Sequence, residues 1–243
     1  MRLQIIGSGS TGNTYILTDK GGNSLIIELG MNFKKIQQAL DFNLSNVHGA
    51  LCTHEHGDHS ASISKCIFYG IKVYATAGTF KGLNVDLDHN TSVLKYFKTV
   101  NIGPYKVTPF DVQHDVNEPC GFVIDHLDSG KILFLTDTTY CKYNFEGLSH
   151  ILIETNYSEA LLKDSEDHEF LKERIVKSHM SIENGIITLS RMDLTDVNNI
   201  ILLHLSSRNA DPESFKSLIS GHFGKFTDVA TSGKEFYLGK DFF

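Results

Sequence analysis

The chain has 243 residues, of which 41% are hydrophobic and 21% are charged, a composition typical of folded globular proteins. A formal net charge of -7 argues against the broad basic surface of tight nucleic-acid binders, although it leaves room for a small anionic substrate. No apolar run approaches the roughly 18 residues of a membrane span, and the four cysteines are scattered singly. We therefore expect a cytoplasmic protein with no membrane partner and structural cysteines.

Short strands joined by glycine-rich turns are predicted for the first thirty residues, in the segments RLQII, TYILTD and SLIIEL. The segment NFKKIQQALDF then has apolar residues at positions 33, 36 and 40, which is a helical spacing. It is followed by the apolar strand GALCT. No repeat or long linker interrupts the chain, so we expect one domain over residues 1–243.

The rest of the chain is rich in predicted strands, with helices late and on the outside. The strands are KVYAT, KVTPFDV, GFVIDH, KILFLTD, HILIET and NNIILLHLS. Helical spacing returns in HEFLKERIVK, SIENGIITLSRM and PESFKSLISG. This order predicts packed β-sheets flanked by helices.

The segment GSGSTG, residues 7–12, matches the glycine fingerprint of dinucleotide-binding sites, with Glu28 at the distance of a ribose-binding acid. That kind of site needs a helix N-terminus directly after the glycines to hold the pyrophosphate. Here the predicted strand NTYILTD follows instead. We therefore expect a tight turn whose glycines adopt positive φ.

The segment THEHGDH, residues 53–59, places three imidazoles and two carboxylates within seven residues at the end of a predicted strand. His54 and His56 lie two positions apart, so both side chains can converge on one ion, while Asp58 and His59 are suited to a second ion. This donor set accepts Zn, Mn or Fe. The other histidines have no partner at ligand spacing and are interpreted as ordinary: His48, His89, His126, His150, His168 and His222.

This motif resembles the H-x-H-x-D-H signature of the metallo-β-lactamase superfamily, whose fold is an α/β, four-layer αββα sandwich of two mixed β-sheets flanked by helices. The resemblance implies further ligands at three later strand ends, FDVQHD, LFLTD and ILLHLS, which supply His114, Asp137 and His204. It also implies two divalent ions, with zinc the first choice and Mn or Fe the alternatives. One ion would be held by His54, His56 and His114, the other by Asp58, His59 and His204, with Asp137 as the bridge. Glu28 stands where the family commonly has Asp, which puts the hydrogen bonds around the ligands in doubt.

Longer segments resemble the YycJ/WalJ branch of that superfamily, which is related to tRNase Z enzymes: SGSTGN, VYATAGT, QHDVNEPCGFVI, LIETNYSEALL, LKERI, SHMS and HLSSRN. In tRNase Z a Glu orients a His that protonates the leaving group, and Glu154 and His179 occupy those positions. The resemblance thus implies Glu154, His179 and Asp58 as catalytic residues. Arg208, with Ser206 and Asn209, is a candidate for contacting a substrate phosphate, although a plain surface arginine fits position 208 equally well.

The function implied is a two-metal phosphodiesterase or nuclease, most like a 5′-to-3′ DNA exonuclease, in which a bridging hydroxide attacks phosphorus. Its partner would be a nucleic acid or nucleotide, and a homodimer is left open. The alternative is a cyclic-nucleotide phosphodiesterase of the phage anti-Pycsar type, because no smooth cationic track is visible in the sequence. A thioester or lactone hydrolase and a diiron redox protein are further alternatives.

Overall fold

The computed structural model describes residues 1–240 and consists of two seven-stranded β-sheets with helices on the outer face of each. The strands are β1 (Arg2–Gly7), β2 (Thr14–Thr18), β3 (Ser24–Ile27), β4 (Val47–Leu51), β5 (Val73–Thr76), β6 (Thr91–Leu94), β7 (Val100–Ile102), β8 (Tyr105–Asp111), β9 (Cys120–His126), β10 (Gly130–Leu135), β11 (Leu148–Glu154), β12 (Asn199–Leu203), β13 (Phe226–Val229) and β14 (Glu235–Tyr237). The helices are α1 (Phe33–Ala39), α2 (Gly57–Ser60), α3 (Ile63–Phe68), α4 (Ala77–Gly82), α5 (Glu159–Asp164), α6 (Glu169–Ser178), α7 (Ile182–Ser190) and α8 (Pro212–Phe223).

Both sheets are mixed. In the first, the order is β14-β1-β2-β3-β4-β5-β6, antiparallel from β14 to β3 and parallel from β3 to β6. In the second, the order is β13-β12-β11-β10-β9-β8-β7, parallel from β13 to β10 and antiparallel from β10 to β7. Because β4, β10, β11 and β12 belong to parallel pairs, their carboxyl ends collect along one edge of the sandwich.

The main core lies between the two sheets. Leu3 and Ile5 of β1 point inward while their neighbours are partly exposed, as expected of a strand with one buried face. They pack with inward side chains of the second sheet such as Phe122 and Phe134. All seven residues of β11 are buried, since this central strand is covered by the first sheet on one face and by helices on the other.

The outer faces are covered by helices, which completes four layers. Phe33 and Ile36 of α1, with residues of α3 and α4, cover the first sheet. Ile182 and Leu189 of α7, with residues of α8, cover the second. The αββα sandwich predicted from the family resemblance is therefore confirmed.

The expectation that helices come late in the chain was incomplete. Three short helices, α2, α3 and α4, lie within residues 57–82, where no helical spacing of apolar residues was identified. Helices of four to six residues are too short to show a repeating apolar spacing, so they escape a test of periodicity. Over residues 1–240, none of the helices has the length and apolar content that crossing a membrane requires.

Candidate metal centre

The predicted ligands follow the ends of strands from both sheets. The THEHGDH segment comes two residues after β4 and continues into α2, which carries Asp58 and His59. His114 follows β8, Asp137 follows β10, and His204 is the first residue after β12. The structure thus brings together all seven side chains, although they are spread over 151 positions from His54 to His204.

The first half-site consists of His54, His56 and His114. His54 Nε2 lies 3.2 Å from His56 Nδ1, which lies 3.1 Å from His114 Nε2. The opposite ring nitrogens are held by the protein: Thr53 Oγ1 is 2.9 Å from His54 Nδ1, and the Ser178 carbonyl is 2.9 Å from His114 Nδ1. These contacts orient His54 and His114, and the free nitrogens of both rings point toward His56 Nδ1.

The second half-site consists of Asp58, His59 and His204. Asp58 Oδ2 lies 3.3 Å from His59 Nε2 and 3.6 Å from His204 Nε2. Glu28 Oε2 lies 3.3 Å from the other nitrogen of His59, Nδ1. His59 and His204 are buried, whereas Asp58 is partly open to the cleft described below.

Asp137 lies between the two half-sites. Its Oδ2 atom is 3.8 Å from both His54 Nε2 and His114 Nε2, and 3.4 Å from His59 Nε2. Its Oδ1 atom is 2.7 Å from His204 Nδ1. This is the place predicted for a bridging carboxylate, with one oxygen facing ligands of both half-sites.

The donor set fits a pair of divalent metal ions. In a tetrahedral zinc site with Zn–N distances of about 2.0–2.1 Å, two ligand nitrogens are roughly 3.3 Å apart, close to the separations in the first half-site. Three imidazole nitrogens that converge in this way cannot all be satisfied by one another's protons. The first half-site together with Asp137 offers four ligand atoms within 4.8 Å of one another, and the second half-site by itself offers three.

The charges in the centre also favour a cation. Burial, together with the neighbouring His59, lowers the pKa of His54, and burial lowers the pKa of His114, so both rings keep a free nitrogen. Burial opposes ionisation of Asp137, but His204 and His59 outweigh it and hold the pKa of this carboxyl well below its usual range. Burial likewise opposes protonation of His59, and the Asp137 and Glu28 carboxylates overcome it and raise the pKa of His59.

Three residues of the centre adopt the left-handed backbone conformation: Glu28 at φ 64°, Asp137 at φ 47° and His204 at φ 52°. Each directly follows, or lies within two residues of, the end of a strand. This conformation costs about 1–3 kcal/mol for a residue with a side chain. The three strained residues are thus ones whose side chains point into the metal centre.

Glu28, which stands where the family commonly has the shorter Asp, contacts His59. Its Oε2 atom faces His59 Nδ1 and the backbone N–H of Thr53 at 3.5 Å. Its Oε1 atom is buried and has no hydrogen-bond partner among the described residues. Glu28 thus contacts His59 through one oxygen, while its other oxygen has no partner among residues 1–240.

Glu154 and His179 form the pair predicted from the resemblance. His179 Nδ1 lies 2.7 Å from Glu154 Oε1, and the backbone N–H groups of Thr138 and Met180 donate to Glu154 Oε2 at 3.1 and 3.2 Å. Burial opposes protonation of the imidazole, but the fully buried Glu154 carboxylate outweighs it and raises the pKa of His179 to about 9. His179 Nδ1 is also 3.9 Å from Asp137 Oδ2, so the pair adjoins the metal centre.

A cleft of about 670 Å³ opens above these groups. It is lined by Asp58, Asp137, His179 and His204, by residues of α6, and by the loop after β12. All three predicted substrate residues, Ser206, Arg208 and Asn209, line it. The guanidinium of Arg208 donates to Asp167 Oδ1 at 2.9 Å, and Asn209 Nδ2 donates to Asp167 Oδ2 at 2.9 Å.

The cleft contains one further cation that we did not predict from the sequence. Arg174 of α6 lines it together with His179, is exposed, and forms no ion pair within residues 1–240. Its carbonyl oxygen accepts the Ser178 hydroxyl at 2.6 Å, which ties it to the residue that holds His114. A single arginine in an exposed helix has no distinguishing pattern, so only its place in the fold reveals it.

Comparison with known proteins places this geometry in a family. Residues 15–205 match the Beta-lactamase superfamily domain. The exodeoxyribonuclease YycJ of Bacillus anthracis is 26% identical over 235 residues, which cover 90% of this chain and 88% of that protein.

Two solved structures share the fold at low identity. The metallo-β-lactamase fold protein YhfI from Bacillus subtilis aligns with a TM-score of 0.75 at 15% identity, over 97% of this chain and 98% of that one. The short form of human tRNase Z aligns with a TM-score of 0.62 at 13% identity, over 98% of this chain and 99% of that one. Because the family match covers more than half of its length, this chain belongs to the beta-lactamase superfamily and is a hydrolase with the metallo-β-lactamase fold.

Proposed function

We propose that the protein is a two-metal phosphodiesterase that degrades nucleic acid, most like a 5′-to-3′ DNA exonuclease. The observation that carries this proposal is the Glu154–His179 pair beside the metal centre. Hydrolysis of a phosphodiester releases an alkoxide, which needs a proton more than the thiolate released from a thioester does. A protonated imidazole next to the centre supplies that proton.

The ions proposed are zinc, held in the two half-sites with Asp137 between them. When bound, they would supply an activated water and neutralise the charge that develops on the phosphoryl group. The His/Asp donor set supports zinc, and Mn or Fe satisfies the same set. In this scheme Asp58 is both a ligand and a catalytic residue, since its side chain is 25% exposed while that of Asp137, the other acidic ligand, is 3% exposed.

The proton is held at a defined atom. Glu154 Oε1 accepts the hydrogen on His179 Nδ1, so the ring presents its Nε2–H, which forms no hydrogen bond among the described residues. With a pKa of about 9, His179 is charged at neutral pH. Nε2 can then transfer its proton to the departing oxygen, while the two backbone donors on Glu154 keep the carboxylate, and with it the ring, in place.

Substrate contacts are proposed for Arg174 in the first place and for Arg208 in the second. Arg174 has no carboxylate partner in the described structure, so its guanidinium is available for a bidentate contact with a phosphate. Arg208 is already paired with Asp167. Ser206 accepts the backbone N–H groups of Arg208 and Asn209 at 3.3 and 3.2 Å, which supports a role in shaping the loop.

The relation to YycJ of Bacillus anthracis, named an exodeoxyribonuclease, supports DNA as the substrate. The net charge of -7 argues against a broad basic surface, so we place the phosphate contacts in the cleft, which is lined by two arginines. We further propose that the whole chain acts as one domain, because both sheets supply ligands. A cytoplasmic location is proposed too, supported by four buried cysteines that are all unpaired.

A cyclic-nucleotide phosphodiesterase is the second candidate, and one feature of the cleft favours it. The contact of Asp167 with Arg208 and Asn209 joins the loop before α6 to the loop after β12 and forms a wall of the cleft. A walled cleft of about 670 Å³ is of the size that holds a small ligand.

The two candidate functions are distinguished by which substrates are cleaved and by how KM depends on salt concentration. Metal-reconstituted protein is incubated with end-labelled DNA, end-labelled RNA and cyclic mononucleotides, beside a His179→Ala variant. The proposal predicts stepwise loss of mononucleotides from DNA and a KM that rises steeply with salt. Cleavage of cyclic mononucleotides alone, with little dependence on salt, would establish the second candidate, and cleavage of none of the three would reject both.

A further inference from the structure

The turn between β1 and β2, residues 8–13, sends a side chain to the second half-site. Ser8 Oγ accepts the backbone N–H of His204 at 3.0 Å, although the two residues are 196 positions apart. From the other side, Asn156 Nδ2 donates to the carbonyl oxygen of His204 at 2.8 Å. Both polar backbone groups of His204, a residue with positive φ, are therefore held by side chains.

A second side chain of the same turn reaches Asp58 and His59. Asn13 is almost completely buried, and its Oδ1 atom accepts the N–H of Gly9 at 2.8 Å. Its Nδ2 atom lies 3.3 Å from the Asp58 carbonyl, 3.4 Å from Asp58 Oδ2 and 3.1 Å from His59 Nε2. The N–H of Gly9 thus orients the Asn13 amide, and this amide holds Asp58 in place.

Backbone contacts hold the turn against the ligand segment. The N–H of Asn13 donates to the Asp58 carbonyl at 2.7 Å, and the N–H of Gly30 donates to the Asn13 carbonyl at 2.9 Å. A Cβ atom at Gly30 would lie only 1.6 Å from the Asp58 carbonyl oxygen. Three segments thus meet main chain to main chain, which explains a glycine at position 30.

The first half-site is supported by other parts of the chain. The Thr53 hydroxyl orients His54, and the Ser178 carbonyl orients His114. Within residues 1–240, no hydrogen bond joins a side chain of the 8–13 turn to His54, His56 or His114. The two half-sites therefore have separate supports.

We infer that Ser8 and Asn13 are positioning residues of the second half-site, which set its affinity for a cation without affecting that of the first half-site. Ser8 holds His204, and Asn13 holds Asp58. This inference rests on the proposed function, because it takes both half-sites to be ion sites. It also gives the glycine-rich segment a purpose other than phosphate binding: the glycines let the turn fold tightly enough for these two side chains to point inward.

The test is a metal titration of the full chain. Metal-free protein is titrated with Zn²⁺ in competition with a chromophoric chelator, and with Co²⁺ while its absorption spectrum is followed. Wild type is expected to bind two ions. Ser8→Ala and Asn13→Ala are each expected to bind one ion normally and the other roughly 10–100-fold more weakly, as for other residues that orient ligands. Reference spectra of His204→Ala and His114→Ala identify the weakened half-site.

Three control variants accompany the titration. Thr11→Ala changes an exposed residue of the same turn and should bind both ions as wild type does. Thr53→Val should weaken the first half-site instead of the second. Ser8→Thr restores the hydroxyl and should recover affinity, which separates loss of positioning from loss of folding.

The outcomes are distinct. Wild-type affinity for both ions in Ser8→Ala and Asn13→Ala, or equal weakening of both half-sites, would overturn the inference. A wild type that binds a single ion would overturn both the inference and the two-ion centre. If the pattern of metal affinities is as expected but the loaded protein cleaves no phosphodiester, only the proposed function fails.

Discussion

The floor and the rim of the cleft are held in place in different ways. The floor is the metal centre beneath the cleft, where His54, His59 and Asp137 are almost completely buried and each faces a hydrogen-bonding or charged partner. On the rim, Arg174 and Arg208 are exposed, and the latter is held by one contact with Asp167. A rigid floor suits the chemistry, which is common to many substrates, whereas a loosely held rim suits recognition, which differs between them.

The largest effect should come from removing the charge at the middle of the floor. Asp137→Asn replaces the carboxylate that faces both half-sites by an amide, which is a poorer metal ligand. Phosphodiesterase activity should fall to background and bound zinc should decrease, as measured by rate assays and elemental analysis. If the variant retained wild-type activity and two bound ions, Asp137 would not be the bridging carboxylate.

The next largest effect concerns the proton donor between floor and rim. His179→Ala should lower kcat by roughly 10²–10⁴-fold with little change in metal content. Because the pKa of His179 is raised to about 9, the acid is present below that pH, and the wild-type rate should fall as pH rises through it. Glu154→Gln removes the carboxylate that outweighs burial, so the alkaline limb should move to lower pH. A pH–rate profile that is the same in wild type and Glu154→Gln would contradict the pairing.

His150, a buried histidine outside the metal centre, tests the effect of burial alone on the pKa of an imidazole. Burial lowers the pKa of His150 from 6.5 to about 4, so the folded protein keeps this ring neutral. The contribution of neutral His150 to the free energy of unfolding is therefore fully present above pH 6.5. It is lost as pH falls toward 4, by up to about 3 kcal/mol. His150→Gln cannot gain that proton and should lose less stability on acidification than wild type, as measured by urea unfolding at pH 7, 5 and 4. Equal losses of unfolding free energy in wild type and His150→Gln would contradict a lowered pKa at His150.

The smallest effect should come from the rim. Arg174→Gln should weaken DNA binding by roughly tenfold and leave metal content unchanged, because it removes one charged hydrogen-bonding group. The slope of log affinity against log salt should decrease by about 1. Fluorescence anisotropy with a His179→Ala background measures binding without cleavage.

The control for this change is Lys177→Gln on the same helix. Lys177 is exposed, lies 3.4 Å from Glu173 and does not line the cleft, so its removal should change binding little. Arg208→Gln should have an effect between the two, since its guanidinium is already paired. If all three variants bound alike, the rim would carry no specific phosphate contact.

Much of the floor could be predicted from the sequence because four of its ligands lie within six positions, His54 to His59, and the others lie within three residues of the ends of apolar strands. The αββα layers could be predicted through the same family resemblance. The residues that hold the ligands in place, such as Ser8, could not be predicted. Ser8 contacts His204 across 196 positions, and a hydrogen bond of that kind leaves no periodic pattern in the sequence.

The rim was predictable only as a list of candidates. Ser206, Arg208 and Asn209 do line the cleft, but the sequence could not show that Asp167 binds both Arg208 and Asn209. It also could not single out Arg174 from other arginines, because the orientation of an exposed helix over a cleft depends on its tertiary packing. The roles of these residues, and of Glu154 and His179, remain predictions.

The contact between Ser8 and His204 also has a consequence for biosynthesis. A chain emerging from the ribosome contains the His54–His59 segment early, but it completes the second half-site only after His204 has been made and has returned to the β1 end. Strand β14, which pairs with β1, is made later still. The second half-site would thus gain its full complement of ligands only when synthesis is almost finished, whereas all four ligands that face the first half-site are made before His204.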